Sequence, residues 1–169
     1  GVLALWLAWL AVVQARMVGI NFLLSVLALV WAADISAYFA GRAFGLRFTK
    51  NKLAPAISPG KSWEGVWGGA VGVLLLALVW VAIDAGGYTS VPSFYTVLAR
   101  QGWWLLLLAA LFMTAMSVAG DLIESLIKRS AGVKDSSHLL PGHGGVLDRV
   151  DALLPTLPLA LMLYSLVSP

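Results

Sequence analysis

Six polar side chains recur at helical spacing within one stretch of the sequence, and their types could bind a metal ion and a phosphate. They are Thr114, Ser117, Asp121, Glu124, Ser125 and Lys128. Offsets of mostly three and four residues put them on one face of a helix, while leucines and isoleucines take the other face. An interfacial helix with its charged side in water has the same pattern. The stripe alone therefore leaves a catalytic surface and a solvated surface both open.

Two further carboxylates, Asp148 and Asp151, stand three residues apart immediately before the last apolar run. In the first turn of a helix they would share a face and meet the positive end of the helix dipole. Simple capping of the helix would explain them equally well. Together with Asp121, however, they bring hard oxygen ligands from two helix ends to one depth, and Mg²⁺ prefers such ligands. We therefore expect a magnesium site formed by Asp121, Asp148 and Asp151.

Basic residues are interleaved with these carboxylates. They are Lys128, Arg129, Lys134 and Arg149. Such cations suit polyphosphate chemistry, because the negative charges of the substrate must be met while a metal neutralises the reacting phosphorus. A patch that contacts anionic lipids would carry the same residues. The glycine-rich segment 141–145, which contains His143, could bring backbone amides close to phosphate oxygens, although this pattern is weak on its own.

Two charged residues elsewhere are further candidates for the site. Ser58 followed by Pro59 suits the start of a short helix, which would leave Lys61 as a mobile cation near the membrane surface. Asp34 lies at the end of an apolar run, where an aspartate could partner a substrate-binding Lys or Arg. Nothing in the spacing of Asp34 ties it to the other aspartates.

The composition indicates that these residues are positioned by membrane helices. The 169 residues are 60% hydrophobic and 11% charged, and the mean hydropathy is +0.90. We expect an all-α, polytopic transmembrane bundle, forming one catalytic domain with active-site loops at its cytoplasmic face. The first apolar run is shorter than the roughly 20 residues that span a bilayer, so the chain is expected to be N-terminally incomplete. The predicted spans lie near 2–13, 17–39, 65–83, 102–119 and 152–167.

The charge distribution predicts the orientation of the bundle. With these spans, every Lys and Arg except Arg16 and Arg100 falls on one side, which the positive-inside rule makes cytoplasmic. Almost all of the acidic residues gather on the same side, although the rule does not require this, and charge-bearing chemistry at that surface would explain it. The absence of cysteine excludes disulfides and thiolate nucleophiles.

The polar segment after Asp121 resembles the signature of a known family, the phosphatidate cytidylyltransferases, also called CDP-diacylglycerol synthases. The resemblance covers roughly Trp31 to the C-terminus. It is carried by Ser125–Arg129, Lys134–Asp135, Pro141–Gly145 and Asp148–Asp151, with support from Asp34–Tyr38, Gly41–Arg42, Ser58–Gly65 and Gly120–Asp121.

The resemblance implies a reaction of phospholipid biosynthesis in which CTP and phosphatidate give CDP-diacylglycerol and pyrophosphate with Mg²⁺. It implicates Ser125, Lys128 and Arg129 in binding the nucleotide or lipid phosphate, beside the metal-ligand candidates. Lys134 and Arg149 are candidates for stabilising pyrophosphate. The expected location is the bacterial inner membrane with the active site facing the cytoplasm, without a nucleic-acid partner, and homodimerisation is left open.

Other functions stay open at this point. A related CTP-dependent enzyme could act on an ether-linked or isoprenoid lipid, because the headgroup site does not distinguish these substrates. A CDP-alcohol phosphatidyltransferase is disfavoured, since the aspartate pattern of that family is absent. A transporter or channel would place its polar residues deep within the spans, whereas here they cluster at one surface.

Overall fold

Six helices and one β-hairpin make up the part of the chain that the structure describes. The computed structural model describes residues 2–49, 51–133, 136 and 150–168. The helices are α1 (Val2–Val18), α2 (Ile20–Phe44), α3 (Trp63–Ala85), α4 (Phe94–Gln101), α5 (Trp103–Ser130) and α6 (Leu153–Val167), and the strands are β1 (Lys52–Ala54) and β2 (Ser58–Ser62).

Three of the helices are long and apolar enough to cross a bilayer. They are α2, α3 and α5, with 25, 23 and 28 residues, while α1 and α6 are shorter apolar helices. Each of the five predicted spans overlaps one of these helices. Large apolar side chains such as Trp67, Leu75 and Leu108 face outward, as expected where lipid surrounds the bundle. The predicted all-α transmembrane bundle is confirmed, and the chain is an integral membrane protein.

Small residues allow α2 and α3 to pack closely in antiparallel directions. A Cβ atom on Gly68 would lie 2.1 Å from the Cβ of Ala40, and one on Gly72 would lie 2.0 Å from the Oγ of Ser36. Either contact is far shorter than van der Waals distance, so α2 would have to move away if a side chain were added. This packing fixes Asp34 on α2 relative to the residues just before α3.

The segment before α3 differs from the prediction. Ser58 begins β2, which pairs antiparallel with β1 with Lys52 opposite Ser62, so the predicted short helix at Ser58–Pro59 is wrong. Ser62 then caps α3, since its Oγ accepts a hydrogen bond from the N–H of Gly65 at 3.2 Å. Lys61 thus lies within β2, immediately before the helix cap, and it is not the mobile cation that the sequence suggests.

A hydrogen-bond network surrounds Asp84, at the end of α3 that is opposite to the Ser62 cap. One carboxylate oxygen accepts from Asn21 at 2.9 Å and from Thr89 at 2.8 Å. The other accepts from the N–H of Ser93 at 2.8 Å and from Thr96 at 2.5 Å. The network joins the start of α2 and the end of α3 to α4, a short helix that the sequence analysis did not predict.

Candidate active site

A cavity of about 600 Å³ opens between α2, β2, the start of α3 and α5. Its charged lining residues are Asp34 and Arg42 from α2, Lys61 from β2 and Asp121 from α5. Charged groups from three separate elements therefore meet in one space. Since charged side chains within a membrane bundle are costly unless they are paired or functional, this cavity is the candidate active site.

Asp34 and Asp121 both line the cavity, and they lie at similar distances from the C-terminal ends of their helices. Asp34 lies ten residues before the end of α2 and Asp121 nine residues before the end of α5, which corresponds to about 15 Å and about 14 Å along the helix axes. Lys61 forms an ion pair with Asp121. The carboxylate of Asp34 is attracted by the positive charge of Lys61 and repelled by the negative charge of Asp121. The structure thus ties Asp34 to the other candidate residues, which its spacing in the sequence could not do.

Asp151 joins this cluster from the turn before α6. A Cβ atom on Gly120 would lie 3.0 Å from the carbonyl oxygen of Asp151, so the missing side chain lets α5 approach this turn beside Asp121. Burial raises the pKa of the Asp151 carboxyl to about 6, and a 2.7 Å hydrogen bond from the N–H of Ala152 opposes the rise. The negative charges of Asp121 and Asp34 also contribute to this raised pKa.

The polar stripe of α5 faces the interior of the bundle. Thr114 and Ser117 are buried, whereas Ile123 and Ile127 on the opposite face are exposed. The predicted amphipathic helix is therefore oriented with its apolar face outward. Its polar face is directed at the other helices, which is the arrangement expected of a site within a membrane bundle.

Two contacts organise the C-terminal half of this stripe. Ser125 donates a hydrogen bond from its Oγ to Asp121 at 3.3 Å. One turn further, Lys128 forms a 2.5 Å ion pair with the buried Glu124. The positive charge of Lys128 also lowers the pKa of Asp151. Ser125 and Lys128 thus lie beside carboxylates of the cluster, although neither side chain lines the cavity. Arg129 is exposed and does not line the cavity either.

The predicted metal ligands are only partly within the described residues. Asp121 and Asp151 are brought together, whereas Asp148 lies outside the described residues. Within ranges 2–49, 51–133 and 150–168, no group of three His, Cys, Asp or Glu side chains has the spacing of a metal site. The predicted roles of Lys134, His143 and Arg149 also concern positions outside the described residues.

Tyr38 and Arg42 are cavity residues that the sequence analysis did not assign to the site. Arg42 donates a hydrogen bond from Nη1 to the Tyr38 Oη at 3.0 Å, and both side chains line the cavity. The signal was available in the sequence, because Asp34, Tyr38 and Arg42 follow each other at intervals of four residues along one side of α2.

Comparison with known proteins identifies the family of this chain. Residues 2–167 match the model of the cytidylyltransferase family. A phosphatidate cytidylyltransferase of Haemophilus influenzae is 47% identical over 149 residues, which cover 88% of this chain and 47% of the relative.

More distant relatives carry the same name. The phosphatidate cytidylyltransferase of Pseudomonas aeruginosa is 44% identical over 94% of this chain and 53% of its own length. That of Bacillus subtilis is 38% identical over 89% of this chain and 49% of its own. The chain spans about half the length of the curated relatives it matches. Because the family model matches nearly every residue, the chain belongs to the cytidylyltransferase family.

Proposed function

We propose that the full-length protein transfers CMP from CTP to phosphatidate, giving CDP-diacylglycerol and pyrophosphate. The observation that carries the proposal is the meeting of Asp34, Lys61 and Asp121 in one cavity within a membrane bundle. Relatives named phosphatidate cytidylyltransferase match this chain over most of its length. Because the chain spans about half of those relatives, the activity is proposed for the whole protein.

The depth of the cluster suits a lipid headgroup as substrate. The 28 residues of α5 extend about 42 Å, which exceeds the roughly 30 Å hydrocarbon core by about 12 Å. The charged residues of α5 lie near its C-terminus, so the excess length belongs at that end. Asp121, about 14 Å from the C-terminal end, then lies close to the hydrocarbon boundary, where the phosphate of a membrane lipid is found.

The reaction requires no nucleophile from the protein. An oxygen of the lipid phosphate attacks the α-phosphorus of CTP, a new phosphorus–oxygen bond forms, and the bond to the β-phosphate breaks with release of pyrophosphate. Catalysis then depends on positioning and on stabilisation of negative charge. Lys61, which is held beside the carboxylates by its ion pair with Asp121, would stabilise negative charge on the α-phosphate. The α5 side chains Ser125 and Lys128 would contact phosphate oxygens of the substrate.

The proposed reaction includes a magnesium ion bound by carboxylates of the site. Asp34, Asp121 and Asp151 act on one another as like charges, and a divalent cation would offset that repulsion. Carboxylate oxygens are also the ligands that Mg²⁺ prefers. Asp121 and Asp151 would hold the ion together with Asp148, and the bound ion would supply positive charge next to the phosphates. Lys134, His143 and Arg149 complete the proposed set of phosphate contacts.

The cavity end of the bundle is proposed to face the cytoplasm of a bacterial inner membrane. Arg42, Arg47 and Lys52 lie at this end in the described chain, in agreement with the positive-inside rule. CTP is a cytoplasmic nucleotide, so this orientation gives the substrate direct access to the cavity.

A lipid panel tests the proposal with the full-length protein reconstituted in vesicles. CTP and Mg²⁺ are supplied with phosphatidate, with its ether-linked analogue or with an isoprenoid phosphate, and liponucleotide formation is measured. The expected result is CDP-diacylglycerol formation that requires both CTP and Mg²⁺ and is fastest with phosphatidate. Faster turnover of an isoprenoid phosphate would replace the proposed substrate, and the absence of any liponucleotide would refute the proposal.

A further inference from the structure

The cavity contains two basic side chains, and only one is neutralised within the part of the chain that the structure describes. Lys61 is ion-paired with Asp121. Arg42 forms no ion pair with any described carboxylate, and its hydrogen bond to Tyr38 is to a neutral hydroxyl. Arg42 is an exposed residue that lines the cavity. Its guanidinium group has five N–H donors, so most of them are accessible to a ligand there.

Arg42 is displaced from the carboxylate cluster along α2. It lies eight residues after Asp34 on the same helix, which corresponds to about 12 Å toward the C-terminal end of α2. The cavity therefore has an acidic part, where Asp34 and Asp121 lie, and a cationic part formed by Arg42 with Tyr38. A ligand that fills both would have its metal-binding portion near the carboxylates and a further anionic portion near Arg42.

The two parts of the cavity match the two sides of an in-line transfer. The inference drawn from this match rests on the proposed function. The attacking oxygen and the leaving group lie on opposite sides of the reacting phosphorus. The lipid stays in the membrane, whereas pyrophosphate must leave toward water. We infer that Arg42, oriented by the hydroxyl of Tyr38, binds the β- and γ-phosphates of CTP and the pyrophosphate released from them. A planar guanidinium group suits two phosphate oxygens at once.

Direct binding of pyrophosphate to the purified full-length protein tests this inference without turnover. Equilibrium dialysis with radiolabelled pyrophosphate and Mg²⁺ compares the wild type with Arg42→Gln, Arg42→Lys and Tyr38→Phe. Arg47→Gln is the matched control, since Arg47 is an exposed arginine that follows α2 and does not line the cavity. Loss of charge-assisted hydrogen bonds is expected to weaken pyrophosphate binding by Arg42→Gln about tenfold to a hundredfold.

The conservative variants separate charge from geometry. Arg42→Lys keeps the charge and loses the planar arrangement of donors, so an intermediate loss of binding is expected. Tyr38→Phe keeps the ring and removes the hydroxyl that orients Arg42, so a smaller loss of about twofold to tenfold is expected. The control Arg47→Gln is expected to stay within about twofold of the wild type, because it changes the same charge outside the cavity.

Steady-state kinetics distinguish the nucleotide from the lipid as the source of the phosphate. Arg42→Gln is expected to raise the KM for CTP and weaken inhibition by pyrophosphate, while the KM for phosphatidate stays unchanged. A rise in the KM for phosphatidate alone would assign Arg42 to the lipid headgroup and overturn the inference.

The remaining outcomes also decide the question. Pyrophosphate binding by Arg42→Gln equal to that of Arg47→Gln, or no binding by the wild type, overturns the inference even if CDP-diacylglycerol is formed. Conversely, Arg42-dependent pyrophosphate binding by a wild type that forms no CDP-diacylglycerol supports the binding site and refutes the proposed function.

Discussion

Replacement of Asp121 by Asn separates the energetics of folding from those of catalysis. The ion pair between Lys61 and Asp121 leaves 23% and 33% of the two side chains exposed, and such pairs contribute no more than about 1 kcal/mol. Loss of this pair is offset in part, because the charge of Asp121 also acts as a like charge on Asp34 and Asp151. The free energy of unfolding is therefore expected to change by less than about 1 kcal/mol.

Catalysis should respond much more strongly to the same substitution. The asparagine side chain would retain the shape of the aspartate but lose the charge that the proposed metal site needs. Removal of one preorganised electrostatic group typically lowers turnover about a hundredfold to a thousandfold, equivalent to about 2.7–4 kcal/mol. The assay measures CDP-diacylglycerol formation by the full-length Asp121→Asn variant at saturating CTP over a range of Mg²⁺ concentrations. The thermal unfolding midpoint of the same preparation serves as the folding control.

Two outcomes would refute this reasoning. Turnover within about threefold of the wild type, at unchanged apparent affinity for Mg²⁺, would show that Asp121 is not part of a metal site. A loss of activity with a parallel fall of the unfolding midpoint would show that Asp121 acts through folding. Only loss of turnover in a normally folded and membrane-inserted protein supports the assignment.

Two further substitutions test the fold that positions the site. Asp84→Asn exchanges one acceptor oxygen for a donor and leaves two of the four present donors without an acceptor, so the free energy of unfolding should fall by about 2–4 kcal/mol. Thermal unfolding in detergent measures this, and an equal effect of Ser90→Ala, an exposed neighbour, would contradict it. Gly68→Leu should push α2 away at Ala40, destabilise the protein by about 1–3 kcal/mol and reduce CDP-diacylglycerol formation. Val71→Leu, on the exposed side of α3, should have little effect, and equal behaviour of the two variants would disprove the role of close packing.

The sequence predicts the helices of this bundle better than its connections. The five apolar spans are recognisable because length and hydropathy are local properties of the chain. The short helix α4 is not predicted in this way, because its eight residues are too few for a span. Its buried residues Phe94, Tyr95 and Leu98 pack against other helices. The helix start predicted at Ser58 is wrong, because the Ser-Pro dipeptide does not express the pairing of β2 with β1.

The candidate site was predicted in part for the same reason. Asp121, Ser125 and Lys128 share one helix, so helical periodicity reveals their common face. The meeting of Asp34 and Lys61 with that face depends on how α2 and the hairpin pack against α5, which no spacing in the sequence expresses. Asp148, assigned to the metal site by the sequence, lies outside the described residues, so its role stays a prediction.

The central claim is the transfer of CMP, and the fate of two differently labelled CTP molecules tests it most directly. The full-length protein in vesicles containing phosphatidate is given Mg²⁺ and CTP labelled at either the α- or the γ-phosphate, and lipid and aqueous products are separated. The account predicts that the α-label appears in lipid as CDP-diacylglycerol and the γ-label appears only in pyrophosphate. Transfer of the γ-label to lipid, or the absence of α-label from lipid, would contradict it.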